Sequence, residues 1–242
     1  MALRGRTYAE WRSEAATDAL RAFGLKAFEL KTKHWDSLEH FSKGLRAHFY
    51  GTSDRLPASA EEVVALLNKP LPPAMSHSDA AKQWLGVAAS AGLVRAEGQS
   101  FKVLTSAVKS SAERALGLLT NTWIELAVLD CVLRNPRYKE VHWGMAPASA
   151  PVSDEWDIVC VDGQTTTLRL ISCKAVMDRS PQDHLERMAA RASKVGAAHS
   201  TFVLFKPAPG QESSIRGAAR RMGIEVAIEA DEIVKEFSPS AK

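Results

Sequence analysis

At 242 residues, 45% of them hydrophobic and with a formal net charge of +3, the chain has enough apolar sequence for one large domain or two small ones. The mild positive balance permits a nucleic-acid partner without requiring one, and no apolar run approaches the roughly 20 residues that span a bilayer. The three cysteines, Cys131, Cys160 and Cys173, stand apart in apolar runs with no CxxC pair, which argues against a zinc or disulfide framework and for reduced thiols in a soluble, cytoplasmic protein.

Three stretches follow one another. Residues 1–55 read as a helical segment: over 1–50, Leu20, Phe23, Ala27 and Leu30 recur at helical spacing behind a Thr17-Asp18 cap. Trp11, Trp35, Phe41, Phe49 and Tyr50 supply aromatics for a small core or a docking face. Residues 56–106 have the order of a winged helix. A short helix from Pro57 stops at Lys69-Pro70, and a second one, capped in Ser76-His-Ser-Asp79, runs through Ala80, Ala81, Trp84, Leu85 and Ala88 towards Gly92. Leu93–Glu97 and Ser100–Leu104 then form two strands around Gly98-Gln99. Its second helix offers only His77, Lys82 and Gln83 as polar contacts, so the unit reads as a packing or dimerisation module rather than a reader of DNA.

Residues 107–242 alternate. A helix is expected over 107–133, strands near 140–145, 155–161 and 167–174, a helix over 182–195, a strand at 201–205, a helix at 213–221 and a strand at 224–228. Gly163-Gln164 marks a hairpin between the second and third strands. The pattern predicts an α/β domain, a mixed sheet with helices on its faces.

Three polar residues stand where the apolar pattern gives no reason for them. Glu125 lies in the first helix of this domain, Asp157 interrupts the apolar strand Trp156–Val161, and Lys174 ends the strand that contains Ser172, which shares its face. A hairpin around Gly163 brings Asp157 towards Ser172 and Lys174. Each alone is an ordinary edge charge, but the ordered set fits phosphodiester hydrolysis. Carboxylates hold Mg2+ or Mn2+ through oxygen, the ion acidifies water, and an ammonium group offsets charge on the scissile phosphate. Asp157 would be the central ligand, Glu125 a second, the Cys173 carbonyl a third, with Glu155 as an auxiliary acid. Arg187, Arg191 and Lys194 share one side of the following helix, where they either track a phosphate backbone or form a solvated face. His142 and His184 have no evident acid or nucleophile beside them in sequence and are left out of the site.

The segment Asn121-Thr-Trp-Ile-Glu125, the run Asp154-Glu-Trp-Asp157-Ile-Val and the run Ile171-Ser172-Cys-Lys174, in that order, resemble the motifs of the PD-(D/E)xK nuclease domain of CRISPR ancillary nucleases of the Card/Can type. His184-Leu-x3-Ala189, Val195-Gly196-Ala-Ala and Arg220-x2-Gly223-Ile-x-Val extend the likeness, and Gly92-Leu-Val with Phe101-Lys-Val resembles the winged helix that precedes that domain. The resemblance covers about Leu56 to Ile228. It implies a restriction-endonuclease-like fold and a metal-dependent endonuclease of prokaryotic defence that acts on DNA or RNA. A CRISPR or other defence protein, or a second copy of the chain, is the implied controlling partner.

The sequence departs from the family in two places. Ser172 stands where the family has an acid, and the first 55 residues are too short for the family's CARF sensor, with no Gly-rich loop in its place. Both departures keep open an alternative, a nuclease-fold subunit that binds nucleic acid or a partner in a defence complex without cutting.

Overall fold

The computed structural model describes residues 11–14, 16–50, 78–97, 100–104, 112–147, 155–177 and 180–238. In chain order the elements are β1 (Trp11–Glu14), α1 (Asp18–Lys33), α2 (Trp35–Tyr50), α3 (Asp79–Ser90), β2 (Val94–Glu97), β3 (Ser100–Val103), α4 (Ala112–Thr120) and α5 (Trp123–Arg134). After these come β4 (Tyr138–Pro147), β5 (Trp156–Asp162), β6 (Thr167–Val176), α6 (Pro181–Val195), β7 (His199–Lys206), α7 (Glu212–Arg221), β8 (Glu225–Ile228) and α8 (Glu229–Phe237). They fall into two compact units, one of residues 16–127 and one that joins residues 1–15 to 128–242. This grouping cuts across the three stretches read from the sequence. No helix among the described residues is long and apolar enough to cross a membrane.

In the unit of residues 16–127, α1 starts where Thr17 Oγ1 accepts the Leu20 amide at 3.2 Å, the expected cap. Leu20, Phe23 and Ala27 are buried along one face, but the same stripe continues to Lys31. The Lys31 side chain is 1% exposed, donates to Ser42 Oγ at 3.0 Å, lies 3.7 Å from Glu39 Oε2 and sits over the rings of Trp35 and Trp84. Gly24 is required by close approach: a Cβ there would meet Leu126 Cβ at 2.5 Å and the Ala127 amide at 2.7 Å.

Helix α3 is capped by Ser78 and buries Ala80, Ala81, Trp84, Leu85 and Ala88, the expected face. It leads into the antiparallel β2–β3 hairpin. The earlier helix of the winged unit, residues 57–67, and His77 lie outside the described residues.

The single helix expected over 107–133 is two helices. Thr120 turns its hydroxyl back to the Leu116 carbonyl, and the amides of Asn121 and Thr122 both close on the Gly117 carbonyl, which ends α4. The Thr122 carbonyl then accepts the Glu125 amide and α5 begins.

The other unit is built on a six-stranded sheet of order β1-β4-β5-β6-β7-β8. The first four strands pair antiparallel, and β6, β7 and β8 run parallel. Parallel neighbours need a crossover, and α6 and α7 supply the two. Pro181 at the start of α6 suits a position whose amide has no partner within the helix, and Gly196, at φ 68°, ends it in the left-handed conformation. Leu185, Met188, Phe202, Leu204, Ile215 and Ile228 form one core between these helices and the sheet. Leu170, Val159, Met145, Ala192 and Val195 form a second.

Two elements correct the sequence expectations. Residues 11–14, expected to be helical, are an edge strand paired with β4. Beyond the last expected strand, Glu229–Phe237 is a helix whose buried residues are Ile233 and Phe237.

Candidate functional site on β5, β6 and α6

The hairpin that brings the site together is closed at its far end. A four-residue loop, Gly163–Thr166, joins β5 to β6, and Thr166, at φ 57°, takes the left-handed turn. Gly163 serves a different need: its amide donates to the Arg137 carbonyl at 2.6 Å, and a Cβ would come within 2.9 Å of that oxygen. The resulting register pairs Ile158 with Ile171, so one step further Asp157 stands across from Ser172.

Asp157 Oδ2 accepts the Ser172 hydroxyl at 3.1 Å and the Cys173 amide at 2.6 Å. No hydrogen bond to its Oδ1 is made among the described residues. Lys174, two residues along β6 and half-buried, lies on the Ser172 face. The structure thus gathers Asp157, Ser172 and Lys174 at one end of the β5–β6 pair.

Sequence reasoning missed a fourth member, His184. Its Nε2 lies 3.3 Å from Ser172 Oγ, and its ring packs on Phe202, with centroids 5.0 Å apart. Phe202 is the β7 residue in register with Ser172, so β6, β7 and the first turn of α6 converge here. A hydroxyl has one hydrogen, and the carboxylate is the stronger acceptor for it. Ser172 therefore donates to Asp157 and accepts from the imidazole Nε2–H, a chain that runs His184 to Ser172 to Asp157. Burial, and next the charge of Lys174, push the imidazole down to about 4 against the opposing pull of Asp157. The ring is neutral at pH 7. The charges of Arg187 and Arg191 act on it in the same direction as Lys174. His184, Arg187 and Arg191 lie at spacings that share a helix face, with Arg187 and Lys194 exposed. The signal in the sequence was a histidine in the first turn of the helix that follows a strand ending in lysine. That its ring meets Ser172 required the fold.

Glu125 is 3% exposed, so it does not lie on a solvated stripe. It is counted with residues 16–127. Glu155 is half-buried just before β5, and the Cys173 side chain is 2% exposed. Among the described residues no three His, Cys, Asp or Glu side chains cluster in a way suited to a metal ion.

Two solved structures share the fold. Protein VC1899 from Vibrio cholerae matches with a TM-score of 0.58 and 15% identity, over 93% of this chain and 56% of its own. Can2 from Sulfobacillus thermosulfidooxidans, solved in complex with cyclic tetra-adenylate, matches with a TM-score of 0.53 and 13% identity, over 94% of this chain and 56% of its own. The chain thus spans a little over half the length of each. No family model and no curated protein matches the sequence. What is shared at such identities is architecture. The class is a restriction-endonuclease-like α/β fold, a mixed sheet flanked by helices and preceded by helical segments.

Proposed function

We propose that the Asp157 site is the reaction centre of a metal-dependent endonuclease that hydrolyses phosphodiester bonds of DNA or RNA in a cytoplasmic, prokaryotic defence system of the CRISPR type. The observation that carries this is the meeting of Asp157, Ser172 and Lys174, which come from two separate sequence motifs, at one end of the β5–β6 hairpin. The likeness of those motifs to the Card/Can nucleases and the fold shared with Can2 point the same way.

The residues present fit Mg2+ or Mn2+. Such ions take one or two carboxylates and keep several waters. Asp157 offers one carboxylate with Oδ1 outside its hydrogen bonds to Ser172 and Cys173. Asp157 and the Cys173 carbonyl would hold the ion, with Glu125 assigned to it by the sequence motif. When bound, the ion acidifies water and stabilises charge on the phosphate. Ser172 and the Cys173 amide fix the orientation of the Asp157 carboxylate. Lys174 offsets charge that grows on the scissile group. Arg187, Arg191 and Lys194 hold the phosphate backbone without reading bases.

The test is incubation of the protein with single- and double-stranded DNA and RNA in Mg2+ and in Mn2+. Cleavage is expected with at least one of them, and Asp157→Ala is expected to abolish it. Cleavage that survives Asp157→Ala discards this centre. Glu125→Gln separately asks whether the motif glutamate takes part.

A second possibility, a subunit that binds nucleic acid or a partner without cutting, is favoured by Ser172, a neutral group where the family's motif is acidic. Ser172→Glu separates the two. Cleavage gained only in the variant assigns the natural protein to binding.

A further inference from the structure

We propose that His184 is a positioning residue of the Asp157 site: its Nε2–H, donated to Ser172 Oγ, commits the serine hydrogen to Asp157 Oδ2 and so fixes the plane of the carboxylate. The inference rests on the assignment of Asp157 to the reaction centre, and it deepens that assignment by naming a residue that acts on Asp157 through Ser172.

A serine hydroxyl turns about its C–O bond and can donate in several directions, so alone it is a poor clamp. Here its oxygen lies 3.1 Å from Asp157 Oδ2 and 3.3 Å from His184 Nε2. Two arrangements of hydrogens fit both distances. In one, the ring donates to the hydroxyl and the hydroxyl to the carboxylate. In the other, the hydroxyl donates to the ring, and Asp157 Oδ2 faces an oxygen that offers it no hydrogen. The first gives every group a partner and gives the ionised acceptor its donor, so it is the stronger by the margin of a charge-assisted bond. Burial, and then Lys174 with Arg187 and Arg191, disfavour a second hydrogen on the ring against the pull of Asp157. The single ring hydrogen therefore sits on Nε2. Those cations also make the N–H a better donor, and bonds in such a chain reinforce one another.

The fold holds the ring for this task. Helix α6 places His184 in its first turn, and Leu185 and Met188 anchor the helix in the core. Phe202, in register with Ser172 on β7, backs the ring at 5.0 Å. At the other end of the chain the Cys173 amide reaches the same Asp157 Oδ2 at 2.6 Å. Hydroxyl and amide together hold one carboxylate oxygen from two directions. The amide alone would leave the group free to swing about a single bond.

Nuclear magnetic resonance of the full chain with labelled histidine and aspartate reads this arrangement without any assay of cleavage. Long-range nitrogen–hydrogen correlations are expected to place the His184 hydrogen on Nε2. The Asp157 carboxyl signal is expected to shift as much in His184→Leu as in Ser172→Ala, and no further when both are changed. His184→Gln, which keeps an N–H donor, is expected to restore it. In cleavage, His184→Leu and Ser172→Ala should each lower kcat by about 10- to 100-fold with KM unchanged, and together do no worse. His184→Gln should recover most of the rate. A hydrogen on Nδ1 overturns the inference, as do shifts that add in the double variant. Should His184→Leu fail to fold, the tautomer in the natural protein still decides the matter. Coupled Asp157 shifts in a protein that cuts no substrate uphold the hold of His184 on Asp157 and remove the nuclease assignment instead. Cleavage lost in Asp157→Ala but untouched by His184→Leu does the reverse.

Discussion

Arg169 and Ser172 stand three residues apart on β6 and therefore on opposite faces of the sheet. Around Arg169 the protein supplies its own counter-charges. The guanidinium, 2% exposed, donates to Glu225 Oε2 at 2.6 Å and to Thr201 Oγ1 at 2.9 Å, reaches Glu236 Oε1 at 3.4 Å, and lies 5.8 Å from the Tyr138 ring centre. Nearby, Arg137 pairs at 2.6 Å with Asp162, which is fully buried, and holds its carboxyl below the usual range. Around Ser172 the arrangement differs. Asp157 is met by a hydroxyl and an amide, both neutral, while Lys174, Arg187 and Arg191 are felt at His184. One face spends its charges on holding strands together. The other holds a carboxylate by neutral donors beside a histidine that feels several cations.

The largest expected effect falls on the open face. Asp157→Ala should lower cleavage by about 100-fold or more yet move the urea unfolding free energy by only about 1 kcal/mol. A large stability loss would make the carboxylate a structural group and break the contrast. Next comes Arg169→Met, expected to cost about 2 to 4 kcal/mol in the same measurement while Mn2+ affinity on the opposite face stays as it was.

A smaller effect concerns Arg137→Gln, about 1 to 2 kcal/mol at pH 7. Because the folded Asp162 carboxyl is held low, its contribution is present above the ordinary aspartate range and is lost as pH falls through the folded value. The variant should therefore flatten the loss of stability on acidification.

The smallest effect lies in the unit of residues 16–127, where Lys31 is a buried cation with an ion-pair partner only at 3.7 Å. Burial, offset in part by Glu39, lowers its ammonium to about 8. Between pH 8 and the ordinary lysine range the unfolded chain binds more protons, so stability rises with pH across that window. Lys31→Met should remove the rise and, at pH 7, change stability by about 1 kcal/mol in either direction. Urea midpoints at pH 7, 8.5 and 10 read both.

Much of the sheet was legible because its strands alternate plainly and its helices are punctuated: Ser78, Pro181 and Gly196 stand where caps and starts require them. The pairing of Asp157 with Ser172 followed from hairpin register alone. What escaped were features set by distant chain. Residues 11–14 extend only because β4 offers an open edge, and four residues carry no period of their own. Helix α8 buries only Ile233 and Phe237 among charged neighbours, too few apolar positions to announce a helix. The break between α4 and α5 depends on a hydroxyl that turns back on its own helix, and His184 depends on a contact across twelve residues with a serine that looked like a loss.

The edge strand β1 has a consequence for biosynthesis. Trp11 and Arg12 emerge from the ribosome long before Pro147 and Ala146, the residues they pair with. The β1 segment must stay unpaired while the unit of residues 16–127 is free to form, and it docks only after β4 is complete. A chain cut ahead of residue 15 would expose the long outer margin of β4, the kind of bare rim on which molecules adhere to one another.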